Sequence, residues 1–192
     1  MTIGITGGIG SGKSFICSIL GTMGYPVFHS DQVAKDLMAT DHDLINGVKS
    51  IFGENAYNQS QELNRSYLAK KIFEGPALRE ELNELVHPKV RSAFNQLASS
   101  TKSDFLFNEA AILFETGAYK NFDKTVLVVA PELLRIQRVK ERDQLQDVEI
   151  LKRINAQWKD DQKIPLADFV INNDEQQMLL PQINEMILNF RR

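Results

Sequence analysis

The sequence predicts an α/β protein: a parallel β-sheet with helices on both faces, carrying one large helical insertion. Three observations lead there. Short β-branched segments alternate with amphipathic helical ones, the pattern of strands joined by crossover helices. A glycine-rich turn, "GGIGSGKS", joins the first strand to the first helix. Residues 32–100 hold no convincing strand and repeat apolar residues at three- and four-residue spacing, too long and too periodic a stretch for a loop.

The elements follow in order. "TIGIT", Thr2–Thr6, is the first strand, and "KSFICSILGTMG" is a helix ending near Gly21 or Gly24. "YPVFHS" is a second strand, with Asp31 just past its end. The insertion then reads as helices in "DQVAKDLMA", "DHDLINGVKSIF", "RSYLAKKIF", "PALREELNELV" and "PKVRSAFNQLA", with Pro76 and Pro88 at first-turn positions of the last two. Strands return as "DFLFNEA" and "KTVLVVA", separated by a short helix and turn in "ILFETGAY". Residues 131–163 are helical and charge-rich, and "ADFVINN" is the last strand. A closing helix starts at Asp174, an N-cap with Gln177 three residues on.

Composition narrows the function. The chain has 192 residues, 43% of them apolar, enough for a sizeable core. Lys and Arg number 22 against 25 Asp and Glu, and a net charge of −3 argues against nucleic acid as the main partner. The one cysteine, Cys17, lies in an apolar helical run as a small buried side chain; no intramolecular disulfide can form, and a reducing compartment is expected. No window reaches the roughly 18 apolar residues of a membrane span, and the N-terminus lacks a basic region followed by a long apolar run. The expectation is a soluble cytoplasmic protein without membrane partners. His29, His42 and His87 show no zinc spacing.

Gly7, Gly12, Lys13 and Ser14 satisfy G-x-x-x-x-G-K-[ST], between a strand and a helix as that motif requires. The glycines let the backbone curl so that successive N–H groups point at one anion, and the helix adds its partly positive N-terminus. Gly8, Ile9, Gly10, Ser11, Gly12, Lys13, Ser14 and Phe15 are therefore the candidate ATP contacts, with Lys13 directed at the β and γ phosphates and Ser14 offering its hydroxyl to Mg²⁺. A GTPase would need D-x-x-G, which does not occur, and "TKSD" precedes its strand instead of ending one. A motor or transporter ATPase would end an apolar strand in Asp, where this chain has Asn108 and Glu109. A large insertion and a basic helix pair point instead to a small-molecule kinase with an acceptor pocket and a closing lid.

"TGGIGSGKS", "HSD", "LNRSYLAKKIF", "LVHPKV", "EAAILFE", "RVKERD" and "ADFVINN" occur in this order from Gly4 to Asn173, and together they resemble the dephospho-CoA kinase family. The resemblance implies a P-loop NTPase three-layer fold with a five-stranded parallel sheet in the order 2-3-1-4-5. It implies a kinase core at 1–31 and 101–192, a helical lid at about 135–163, and a helical acceptor-binding insertion at 32–100. It also implies ATP-dependent phosphorylation of the ribose 3′-hydroxyl of dephospho-CoA, with Mg²⁺, in the last step of coenzyme A synthesis.

Residue type alone leaves Asp31 open between a catalytic base and a helix N-cap; the resemblance favours the base. His29 stands where the family usually has the first acid of D-x-D, and Ala111 where it often has Pro. The resemblance draws Asp31, Arg65, His87 and Glu109 to the substrate, and an acid at Glu109 can hold a water on Mg²⁺. Arg65 also fits a solvated helix face, and His87 a simple helix entry. Among Arg135, Arg138, Arg142, Lys152 and Arg153, the pair Arg138 and Arg142 shares one helix side, and the resemblance gives the transferring phosphoryl group mainly to Arg142. Asn173 falls where such kinases contact adenine, and equally suits a turn. Two rivals remain: a kinase for another small acceptor such as a nucleoside monophosphate, and a nucleotide-binding regulator without transfer. Oligomeric state stays open, with a monomer favoured.

Overall fold

The structure is a computed structural model that describes residues 1–192, apart from the side chains of Phe73 and Pro76. It divides into two units, residues 1–29 with 101–192, and residues 30–100.

The first unit is built on β1 (Thr2–Thr6), β2 (Val27–His29), β3 (Leu106–Glu109), β4 (Lys124–Val129) and β5 (Phe169–Asn172). They form one sheet in the order β2-β3-β1-β4-β5, with every pair parallel, as the resemblance implies. A parallel sheet buried on both faces reads as continuous apolar runs, and these strands do. Ile3, Ile5, Phe107, Val126, Val128 and Ile171 pack with Ile16 and Leu20 of α1 (Lys13–Thr22) and with Ile183, Met186, Ile187 and Phe190 of α9 (Leu179–Phe190). Cys17 lies in that core, where desolvation pushes its thiol pKa far up; it is a packing residue, not a nucleophile. The remaining helices of this unit are α6 (Glu132–Asp143), α7 (Asp147–Asn155) and the one-turn α8 (Asp160–Lys163).

One device pins the sheet twice at its lower edge. Asp123, just before β4, accepts from the N–H and hydroxyl of Thr2 at 2.6 and 3.0 Å. Asp168, just before β5, accepts from the N–H and hydroxyl of Thr125 at 2.8 and 2.9 Å and from Lys124 Nζ at 3.1 Å. Each carboxylate thus locks a strand start to its neighbour.

Two readings of this unit need correction. The closing helix starts at Leu179, not Asp174. Asp174 does accept from the N–H groups of Gln176 and Gln177, but Glu175 adopts a left-handed conformation (φ 64°), so this capping closes a turn. "ILFETGAY" contains no α-helix: it forms turns leading into a 3-10 helix at Ala118–Asn121.

The regular structure of the second unit is helical, apart from an isolated bridge between Tyr57 and Leu63. It comprises α2 (Ser30–Thr40), α3 (His42–Phe52), α4 (Arg65–Glu74) and α5 (Pro76–Ser100). Its core gathers Val48, Phe52, Ala56, Tyr57 and Leu68, with Met38, Leu82 and Leu85 against them. Asp41 caps α3 by accepting from Leu44 N–H at 3.1 Å, and Lys89 of α5 donates to Asp41 and Asp43 at 2.9 and 3.0 Å. The two helices expected in residues 76–98 are one: Pro88 sits inside α5. A proline lacks the N–H that would bond four residues back, so the carbonyl of Glu84 loses its helical partner there. At the start of the unit, α2 begins at Ser30, which places Asp31 inside its first turn and removes the N-cap alternative for that residue.

Removing the Asp168 carboxylate should expose how much the lower edge holds. Burial raises its pKa, but the Thr125 N–H, the Lys124 ammonium and the Thr125 hydroxyl outweigh that and leave it below the ordinary carboxylate value. Asp168→Ala should lose roughly 1–2 kcal/mol in urea unfolding at pH 7. Because the folded pKa is depressed, the wild-type advantage is full above about pH 4 and fades as pH falls through the folded value. A gap between the two proteins that is constant from pH 7 to pH 3 would overturn this assignment.

Candidate active site

The loop between β1 and α1 follows from its glycines. Gly10 and Gly12 have φ of 78° and 91°, in the region that side chains disfavour. Gly7 is needed for closeness: a methyl there would overlap the Val128 carbonyl oxygen. Within the loop Ser11 N–H donates to Gly8 O at 3.0 Å, and Lys13 Nζ donates to Gly7 O at 3.0 Å, keeping the ammonium at the loop. Ser14 and Phe15 are exposed at the start of α1.

The parallel register brings strand ends together. Glu109 stands opposite Ile5 of β1 and His29 of β2. Its carboxylate is committed on both oxygens: Ser14 Oγ donates to Oε1 at 2.6 Å, and His29 Nδ1 lies 2.6 Å from Oε2. Glu109 thus belongs to the cradle as well as to the strand end. With its O–H directed at Glu109, the Ser14 hydroxyl keeps its lone pairs for a cation, a donor set that fits Mg²⁺, which takes few protein ligands. Among the described residues no cluster of three His, Cys, Asp or Glu side chains forms a metal cage.

The basic residues separate. Arg138 reaches the loop: its guanidinium donates to Gly10 O at 3.4 Å, to Asn173 O at 3.2 Å and to Glu175 Oε1 at 2.9 Å. Arg142 instead folds onto its neighbour Asp143, with bonds of 2.7 and 2.9 Å that raise its pKa. Asn173 is buried, and its amide donates to Ser11 O at 2.8 Å, so the side chain holds the loop from below. Beside it a cavity of about 560 Å³ is lined by Gly12, Phe15, Arg138, Glu175, Met178 and Leu179. A planar base fits such a mixture of apolar surface and guanidinium.

The second unit carries the other candidates. Asp31 is exposed in the first turn of α2, and Arg65 is exposed at the first position of α4, where Asn64 serves as cap. His87 lies on α5 within a cleft of about 900 Å³, partly withdrawn from solvent and lined also by Asn83, Glu84, Arg91, Asn95 and Gln96. Three contacts at the loop were not foreseen from the sequence: His29 in its bond to Glu109, Arg135, whose Nε donates to Ile9 O at 2.9 Å, and Gln157, whose Oε1 accepts from Ile9 N–H at 2.8 Å.

Known proteins resemble this chain along most of its length. The family model of dephospho-CoA kinase matches residues 1–178. The chain belongs to the dephospho-CoA kinase family. A dephospho-CoA kinase of Chlorobium luteolum is 41% identical over 179 residues, covering 90% of this chain and 82% of its own. One from Bacteroides fragilis is 39% identical over 186 residues, covering 96% and 90%. Among solved structures, a Thermus thermophilus protein superposes with a TM-score of 0.88 at 32% identity, covering 98% of this chain and 96% of its own. A shikimate kinase of Bacteroides thetaiotaomicron, at 13% identity and a TM-score of 0.54 over 100% of this chain and 99% of its own, shares the P-loop kinase fold alone. No helix among the described residues is long and apolar enough to cross a membrane.

The His87 imidazole is held below its ordinary pKa, first by desolvation and then by the charge of Arg91. The folded state therefore binds fewer protons than the unfolded one between the two values. Its contribution to stability is intact above about pH 6.5 and declines as pH falls below that, down to the folded pKa. NMR titration should show His87 titrating below a histidine in the denatured chain, and Arg91→Gln should raise it only part of the way. A His87 titrating at or above the ordinary value would contradict the assignment.

Proposed function

We propose how this chain divides the work of its family's reaction, ATP-dependent phosphorylation of dephospho-CoA in coenzyme A biosynthesis, with the ribose 3′-hydroxyl as acceptor. The observation that carries the reading is the convergence of Lys13, Ser14, Glu109 and Arg138 on one glycine-rich loop. Within residues 8–15 the ATP phosphates are bound by the N-terminus of α1 and by backbone N–H groups other than that of Ile9, which donates to Gln157. Lys13 pairs with the β and γ phosphates of bound ATP and carries its charge to the phosphoryl group in flight, where it also stabilises the charge that develops. Ser14, oriented by Glu109, is the protein ligand for Mg²⁺, which when bound supplies further neutralisation of phosphate charge. Arg138 and the cavity beside Asn173 receive the base.

Asp31 orients the acceptor hydroxyl and accepts its proton. It follows β2 by two residues, and ligands of open α/β sheets bind outside the carboxyl ends of strands. Arg65 and His87, in the helical insertion, bind the acceptor. Residues 135–163 act as the lid, and Arg142 reaches the transferring phosphoryl group after leaving Asp143. The protein works in the cytoplasm on small molecules, without nucleic acid.

Mass spectrometry of the product formed from dephospho-CoA and ATP tests the reading; the expected product is coenzyme A. A nucleoside monophosphate phosphorylated in its place would favour the rival acceptor, and ATP binding with no product from any acceptor would favour a regulator. Asp31→Asn keeps the shape of the first turn and removes the proton acceptor. Its kcat should fall by roughly 10²–10⁴ while ATP binding stays near wild type. Unchanged kcat would move the base elsewhere. Arg142→Lys keeps the charge but loses the planar fork, so kcat should fall with dephospho-CoA binding spared. Equal turnover of the two proteins at saturating substrates would return Arg142 to a solvated helix face.

A further inference from the structure

The backbone of Ile9, in the middle of the phosphate loop, is gripped at both ends by side chains from the distant 131–163 segment. Its N–H donates to Gln157 Oε1 at 2.8 Å, and its carbonyl accepts from Arg135 Nε at 2.9 Å. Arg135 is buried and presses on the loop: a methyl on Gly8 would overlap its guanidinium, and one on Gly10 its backbone. Gln157 has a second bond, from Nε2 to the carbonyl of Ala111 at 3.3 Å, just past the end of β3. One amide therefore ties the phosphate loop to the segment that follows Glu109.

The platform that presents Gln157 is itself fixed. Trp158 N–H donates to Glu115 Oε1 at 3.3 Å, and the fully buried Lys163 places its ammonium 3.1 Å from the same oxygen. Arg135 lies 3.6 Å from Asp160. Buried charges paired in this way resist displacement, because parting them leaves a charge without a partner.

We propose that Gln157 is a positioning residue for nucleotide phosphate binding. By taking the Ile9 N–H it turns that peptide away from the anion and fixes the direction in which the glycine backbone curls, so that the later N–H groups of the loop face the phosphates. Preorganised dipoles bind charge without a reorganisation cost, and a loop free to turn loses that advantage. Gln157 touches neither phosphate nor acceptor; it acts through the peptide of Ile9. The inference rests on the reading that this loop binds ATP phosphates.

Gln157→Met keeps length and removes both hydrogen bonds. Calorimetric titration with ATP and Mg²⁺ should show Kd raised about tenfold, as expected for the loss of roughly one hydrogen bond's worth of preorganisation. KM for dephospho-CoA should stay within about twofold, and the Ile9 amide should exchange with deuterium faster while the amides of β1 and β4 do not. Gln157→His, which retains a ring nitrogen as acceptor, should recover part of the ATP affinity. Lys13→Ala serves as the control for the loop itself. If Lys13→Ala weakens ATP binding and Gln157→Met does not, the positioning role is wrong and the loop assignment stands. If Lys13→Ala leaves ATP binding untouched, the loop assignment is at fault. If Gln157→Met raises both KM values together with a large drop in Tm, its role is general support of the fold and the proposal is overturned.

Discussion

A glycine-rich loop that curls its backbone N–H groups toward one point has few side chains of its own to hold it in shape. That constraint organises the first unit. Every glycine that lets the loop curl also removes packing atoms and adds conformational freedom to be lost on folding. The compensation comes from neighbours: the Val128 carbonyl behind Gly7, the Asn173 amide on Ser11 O, the Arg135 guanidinium against Gly8, and Gln157 on Ile9. Three strand ends and the start of β1's crossover helix meet at this point because the sheet is parallel. An antiparallel sheet would scatter them over two edges.

Legibility in the sequence follows the range of the interaction. β1, β3, β4 and β5 were readable because buried parallel strands are runs of Ile, Val, Leu and Phe between turn residues, a signal contained within each segment. The phosphate loop was readable because strand, glycines and helix are consecutive. The grip of Gln157 and Arg135 on the loop was not, because their partner Ile9 lies 148 and 126 residues away; Arg135 stood out only as one of several basic residues of its helical segment. His29 drew notice only for the acid it replaces. Its bond to Glu109 depends on β2 pairing with β3 across an intervening 71-residue unit, Ser30–Ser100.

Two boundaries misled for a different reason: local rules were obeyed, and tertiary structure used them otherwise. Proline suits a first helical turn, so Pro88 suggested a start, yet α5 runs through it. The cost of an interior proline is local, while α5 is held along its length by the core around Leu82 and Leu85 and by Lys89 on Asp41 and Asp43. At Asp174 the capping chemistry was read correctly and its product was not. The left-handed Glu175 turns the chain aside, and that same residue then holds Arg138 beside the loop.

The pins at Asp123 and Asp168 lie at the edge of the sheet opposite the strand ends that carry Ser14's partner Glu109 and Asn173. Folding strength and chemistry are thus anchored at opposite ends of the same strands. Enzymes commonly trade one against the other because stabilising changes stiffen a site that has to move. A sheet divided in this way relaxes the conflict. Substitutions around the lower Asp–Thr pairs can therefore change the stability of the sheet without touching the side chains that surround the glycine-rich loop.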